Sequence, residues 1–214
     1  MNTDLLPRPE QMQEFLKYRR SIRKFKDKAI EKDLLKSLAN ISKYAPTNNQ
    51  EIDIIIVDDK PLIEQLESKC ISFINKTYKI FYRPKIVFGL LRRIMPSINE
   101  IDKVKIERTL KRGNIFQNAP ALIILLADSR IPHTELSCQY ALYNISLYAQ
   151  SLGLGTCISG AGKMVLSKNK KIRRLLGIPY NKRIMGILFL GYPDVKFPNK
   201  VEGIEPKIQW NANS

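Results

Sequence analysis

Within Tyr18-Arg19-Arg20-Ser21-Ile22-Arg23, three guanidiniums and a hydroxyl occupy five consecutive positions beside a predicted helix end. Arginine is planar and always charged, which suits phosphate and other flat, electron-rich acceptors. In an extended segment, Arg19, Ser21 and Arg23 face one way and Arg20 and Ile22 the other, so one anionic ligand could be gripped at two separated points. A solvated basic turn would carry the same residues, and the rest of the chain must decide between the two.

The polar turn Ala45-Pro46-Thr47-Asn48-Asn49-Gln50 offers a hydroxyl and side-chain amides that could read the edge of a heteroaromatic ring. Further on, Gly155-Thr156-Cys157-Ile158-Ser159-Gly160-Ala161-Gly162 reads as a strand opening into a glycine loop. Two phosphate motifs fail here. Gly153-x-Gly155 follows a helix and has Ile158 where a dinucleotide fingerprint needs a third small residue, and Gly162-Lys163 lacks both the first P-loop glycine and its Ser/Thr. Backbone laid close to a flat ligand and a simple tight turn remain the two readings.

Apolar periodicity supplies the elements that must position these residues. It predicts helices over Glu10 to Lys17, Glu31 to Tyr44, Leu62 to Tyr82, Lys85 to Met95, Ile98 to Leu110 and Thr134 to Leu152. It also predicts a basic helix, Lys168 to Leu176, capped by Ser167. Strands are expected over Ile52 to Val57, Pro120 to Ala127 and Ile184 to Leu190, the middle one a continuous apolar run suited to a central strand. Apolar and aromatic residues nearly encircle the Thr134 to Leu152 helix, as expected in a core or against a second subunit. These elements give an α+β or three-layer class. With no internal repeat or linker, a single domain is expected over 1–214, with a C-terminal arm at about 194–214.

The chain carries a net charge of +16 over 214 residues. Twelve basic residues against Glu100, Asp102 and Glu107 give +9 between Lys69 and Arg112 alone. Such a block suits a polyanionic partner, whether nucleic acid, anionic membrane or acidic protein. The aromatic-basic ribonucleoprotein motif, zinc spacing and helix-turn-helix pattern are all missing, which weakens a nucleic-acid reading. Cys70, Cys138 and Cys157 are widely spaced without a Cys-x-x-Cys pair, which argues against disulfides, zinc and iron-sulfur clusters. No apolar run reaches membrane-spanning length, and the start Met1-Asn2-Thr3-Asp4 lacks signal-peptide order, so a cytoplasmic location is expected.

The order of features is distinctive: Arg19-Arg20-Ser21-Ile22-Arg23, Ala45-Pro46-Thr47 with Asn48-Asn49-Gln50, Asn118-Ala119-Pro120-Ala121, Ser151-Leu152-Gly153-Leu154-Gly155-Thr156-Cys157, Leu176-Gly177-Ile178-Pro179 and Leu190-Gly191-Tyr192-Pro193. From about Phe15 to about Pro193 the chain resembles the flavin-dependent nitroreductase family. Its closing Glu205-Pro206-Lys207-Ile208-Gln209-Trp210 is similar to the subgroup often fused to a ferredoxin-like module, which this sequence lacks.

The resemblance implies a mixed, mainly antiparallel sheet flanked by helices, an intertwined homodimer, and FMN in a cleft between subunits. By motif match, Arg19, Arg20 and Ser21 would hold the phosphate and ribityl chain, with Arg23 at the pyrimidine edge. Thr47, Asn48 and Gln50 fall on the family's hydroxyl and Asn-x-Gln positions, and Ser159 and Gly160 where backbone approaches flavin N5. The sequence departs from the pattern in a shorter loop before Asn48, in Glu51-Ile52 for the usual Pro-aromatic pair, and in Lys200 as the single match to two C-terminal phosphate-binding bases. The basic 69–112 segment would form the variable lid. The implied activity passes electrons from NAD(P)H, or from an acidic carrier such as ferredoxin or flavodoxin, to a nitroaromatic or quinone. An FMN-binding carrier or regulatory protein of the same fold is the alternative.

Overall fold

A computed structural model describes residues 6–47, 52–95, 100–199, 201 and 203–210. They divide into two compact units, 21–195 and a smaller one of 1–20 with 196–214.

The larger unit is built on a four-stranded sheet of order β1-β2-β4-β3, from β1 (Asp53–Val57), β2 (Ala121–Asp128), β3 (Gly155–Ile158) and β4 (Lys182–Gly191). Each of the three strand pairs is antiparallel. Every residue of β2 is buried, and its alternation divides the core. Leu122, Ile124 and Leu126 join one cluster with α3 (Lys60–Thr77), α7 (Gly160–Lys168) and α8 (Lys170–Leu175). Ala121, Ile123 and Leu125 join the other with α2 (Lys32–Asn40) and α6 (Thr134–Ser151). Helices on both faces explain why β2 reads as an unbroken apolar run, and the class is α+β as expected.

α6 buries Cys138, Ala141, Leu142, Ile145 and Ala149, and leaves Leu136, Tyr140 and Tyr143 exposed. It is fixed to the sheet at two polar points. Ser146 Oγ and Thr156 Oγ1 share a buried hydrogen bond of 2.6 Å. At the second, the β2 to β4 register shifts so that Met185 has no cross-strand partner, and Gln139 Nε2 donates to its carbonyl at 2.9 Å. A side chain on Gly186 would put its Cβ 2.1 Å from Leu142 Cδ1, so helix and sheet approach this closely only over glycine.

Several boundaries differ from the sequence reading. Helix two stops at Asn40 and tightens into a 3-10 turn, Ile41–Tyr44, ahead of Pro46. α3 begins at Lys60 because Asp59 Oδ2 accepts from the Leu62 amide at 2.9 Å, and its last turn widens into a π-helical turn, Tyr78–Tyr82. The middle block continues with α4 (Lys85–Ile94) and α5 (Glu100–Arg112). The expected glycine loop is instead the first turn of α7. Ser167 caps nothing. Its hydroxyl donates back to the Lys163 carbonyl at 2.7 Å, while Asn169 Oδ1 caps α8 by accepting from Lys171 and Ile172.

In the smaller unit, α1 (Pro9–Lys17) starts with Pro9 at a position where a missing amide costs nothing. The C-terminal arm is seated on its exit, with the Val201 amide donating to the Lys17 carbonyl at 3.0 Å.

All three cysteines are buried and free. Burial, assisted by the Glu67 carboxylate, pushes the Cys70 thiol up to about 12, and burial pushes Cys138 up to about 11. Native protein at pH 8 is therefore expected to react with a chromogenic disulfide at these two thiols only when denatured; rapid native labelling of either would contradict this packing. Gly186→Ala is expected to cost about 1–3 kcal/mol in denaturant unfolding, the usual penalty of overpacking, because the fully buried Leu142 side chain would have to shift to admit the new Cβ.

Candidate functional site

The site is best built outward from β3. The Ile22 amide donates to the Thr156 carbonyl at 2.8 Å, and Ser21 and Thr156 form an isolated parallel bridge. The segment beginning at Ser21 is thus extended alongside β3, with Ile22 turned into the core and Arg23 exposed. This packing needs Gly155, because a Cβ there would lie 2.8–2.9 Å from three side-chain carbons of Ile22. Of the two readings of the glycines, close backbone approach holds at Gly155, but the neighbour is the protein's own Ile22.

Beyond Ile158 the chain enters α7. The Ser159 amide donates to the Ile187 carbonyl at 3.0 Å, and its Oγ accepts from the Gly162 amide at 3.0 Å as an N-cap. With Ser159 so occupied, the helix's first two amides, Gly160 and Ala161, have no partner among the described residues. Both residues are exposed, and a Cβ on Gly160 would meet open space. Two outward amides at the positive end of a helix favour an electron-rich acceptor.

Arg23 adds the cation. Its Nη1 donates to the Ser21 carbonyl at 3.5 Å, and its guanidinium lies beside the Cys157 thiol. Burial raises that thiol above its ordinary value, and Arg23 partly offsets the rise. Cys157 is a site neighbour that sequence reasoning missed; no local spacing relates it to Arg23, and only the Ser21 to Thr156 bridge reveals the contact. The structure therefore brings Ser21, Arg23, Ser159 and Gly160 to β3 and its exit.

In the smaller unit, the Arg20 guanidinium stacks 4.7 Å over the Phe197 ring and donates to the Asn199 carbonyl. Sequence reasoning missed both partners, which belong to an arm without periodicity. The Arg19 guanidinium has no partner among the described residues, and its amide donates to the Leu16 carbonyl at 3.2 Å. Thr47 follows the 3-10 turn, whose end packs through Ala45 into the α2 and α6 core, on the sheet face away from the Ile22 and Cys157 cluster. No hydrogen bond or ion pair among the described residues joins Thr47 to the β3 group. Asn48, Gln50 and Lys200 lie outside the described residues.

A separate cleft of about 370 Å³ is lined by Asp27, Asp58, Lys60, Glu64, Glu67 and Asn118 among others, and contains none of the sequence-predicted site residues. Two of its four acids have structural work: Lys60 pairs with Asp27 at 3.1 Å, and Glu67 accepts from the Ile115 and Phe116 amides at 2.5 and 2.8 Å.

Comparison with known proteins bears on the whole arrangement. An Archaeoglobus fulgidus protein named as a candidate NADH dehydrogenase/NAD(P)H nitroreductase is 27% identical over 192 residues, covering 85% of this chain and 87% of that protein. An FMN-dependent nitroreductase from Clostridium difficile R20291 has 25% identity and a TM-score of 0.58, covering 87% of this chain and 90% of that one. A nitroreductase with bound FMN from Desulfitobacterium hafniense shares the fold at a TM-score of 0.68 and 21% identity, covering 89% and 93%. The model of the nitroreductase family matches residues 16–192, nearly all of the larger unit and the chain from the last two residues of α1 onward. The chain belongs to the nitroreductase family.

Proposed function

We propose that this chain is an FMN-dependent oxidoreductase taking electrons from a reduced donor, NAD(P)H in the first instance, and giving them to an electron-poor acceptor such as a nitroaromatic or quinone. The observation that carries the reading is the group at the end of β3: an exposed guanidinium at Arg23, with two outward, partnerless amides at the start of α7. The donor set fits FMN. A flavin ring needs a hydrogen-bond donor at N5 and positive charge at its pyrimidine edge, and FMN carries a phosphate that suits arginine. When bound, FMN supplies a two-electron carrier between nicotinamide and acceptor.

The roles of the chain's own residues rest on their chemistry. Gly160 presents its amide with no side chain of its own to obstruct a flat ring, and the dipole of α7 strengthens that donor. Arg23 holds positive charge where negative charge builds on reduction. Ser159 acts through structure: its capping hydroxyl fixes the first turn of α7. Arg19, Arg20 and Ser21 are assigned to the phosphate and ribityl chain, with Arg20 also seating the arm that carries Lys200. Thr47, Asn48 and Gln50 are assigned to the ring edge. No residue is assigned as a general acid, and acceptor protons can come from water.

The reading includes a homodimer. The exposed Leu136, Tyr140 and Tyr143 of α6 form a stripe at i, i+4 and i+7, and the arm exposes Ile204, Ile208 and Trp210. A second copy would cover such surfaces, and Thr47 would then complete a cleft from across the interface. The basic 69–112 segment is assigned to the lid.

Purified protein is expected to show flavin absorbance, or to acquire it with FMN, and to be bleached anaerobically by NADH or NADPH; a protein that takes up no FMN would remove the proposal. Gly160→Pro removes one amide at the first helical position, where proline fits and Ser159 is already extended. It should slow flavin reduction by about tenfold or more while leaving thermal stability nearly unchanged; wild-type reduction rates would exclude this amide as the N5 donor. Light scattering should give twice the chain mass at about 1 μM, as for a large apolar interface, and a flavin-loaded monomer would contradict the intersubunit cleft.

A further inference from the structure

In the smaller unit, one side chain does most to hold the C-terminal arm at the exit of α1. The Arg20 guanidinium sits over the Phe197 ring, 4.7 Å from its centre, and its Nη2 donates to the Asn199 carbonyl. Two residues further on, the Val201 amide donates to the Lys17 carbonyl at 3.0 Å. Asn199 and Val201 flank Lys200 in the sequence, so these two anchors bracket the single C-terminal base assigned to the phosphate. Phe197 itself is 43% exposed, and burial in a core does not account for its place. Its ring partner among the described residues is the guanidinium.

The kind of support matters for what Arg20 can still do. A carboxylate in place of Phe197 would hold the guanidinium but neutralise it. The aromatic face attracts it through the ring quadrupole, leaves its charge whole and occupies none of its N–H donors. One donor goes to Asn199, and no carboxylate among the described residues pairs with Arg20. The remaining donors are open to a phosphate, and stacking on the ring restricts how they can point.

We propose that Phe197 is a positioning residue that makes the chain selective for a phosphorylated flavin: it orients Arg20 for the FMN phosphate, so that phosphate binding and seating of the arm are one linked equilibrium. The inference rests on the assignment of Arg20 to that phosphate under the proposed function. Seating the arm orders Arg20 and raises its affinity for phosphate; by reciprocity, a bound phosphate holds the arm in place by the same factor. Riboflavin has the same ring and no phosphate. It therefore has no differential affinity for the seated arm, and should neither sense Phe197 nor protect the arm.

The experiment titrates FMN and riboflavin separately into flavin-free, full-length protein. Wild type is expected to bind FMN the more tightly. Phe197→Leu keeps an apolar side chain but loses the π face, and should weaken FMN binding by about threefold to tenfold with riboflavin binding unchanged. Phe197→Trp keeps a π face and should restore the FMN affinity. Limited trypsin digestion supplies a second readout: FMN should slow cleavage after Lys196 in wild type, riboflavin should not, and Phe197→Leu should lose the protection. Equal loss of FMN and riboflavin affinity in Phe197→Leu, or a Phe197→Trp variant no better than Phe197→Leu, makes the residue a structural support only and overturns the proposal. Wild-type FMN affinity in Phe197→Leu, or equal protection of the arm by both flavins, overturns it as well. In each of these outcomes FMN still binds and the functional reading stands, whereas a wild-type protein that takes up neither flavin removes both.

Discussion

The close approach of Ile22 to Gly155 is the contact on which the site depends. Backbone can lie this near a strand only where no Cβ intervenes, and three carbons of Ile22 occupy the space a side chain would take. The apolar residue between Ser21 and Arg23 is the anchor, and alternation along the extended segment leaves Arg23 on the surface beside Cys157. A basic segment that would otherwise be solvated turn is thereby held in register with the strand leading to α7. The positioning comes from burying Ile22, not from any ion pair.

The same logic operates one layer deeper. β2 is apolar on both faces because α3, α7 and α8 cover one and α2 and α6 the other. α6 reaches the sheet over Gly186 and is held by Gln139 on the carbonyl freed at the bulge and by Ser146 on Thr156. The last of these bonds ties α6 to the strand residue whose carbonyl receives the Ile22 amide. The outward stripe of α6 and the edge of the site are thus rigidly related within the unit, as a cleft completed by a second subunit would need.

Much of this was legible in the sequence. The apolar run at β2, the periodicity of α6 and the extended alternation at Ile22 and Arg23 each come from a repeat of 2 or 3.6 residues, and the ordered motifs fixed the family. What was not legible depends on contacts between distant residues. The glycine loop became a helix start because Ser159 could cap it, and the α8 cap moved from Ser167 to Asn169 because two side chains of similar capping ability compete locally. The link of Arg20 to Phe197 and Asn199 joins positions far apart in a segment without periodicity. The role of Gly155 could be read as close approach, but nothing local named Ile22 as its occupant.

The central claim is that Ile22, packed over Gly155, places the Arg23 charge at the ring of a bound flavin. Its most direct test is the two-electron midpoint potential of bound FMN in wild type and in Arg23→Ala at equal flavin occupancy. A guanidinium at the pyrimidine edge stabilises the anionic reduced ring, so its removal should lower the potential by roughly 30–60 mV, the equivalent of one charge-assisted hydrogen bond. An unchanged potential in a fully loaded variant would contradict the account, because Arg23 would then stand away from the ring.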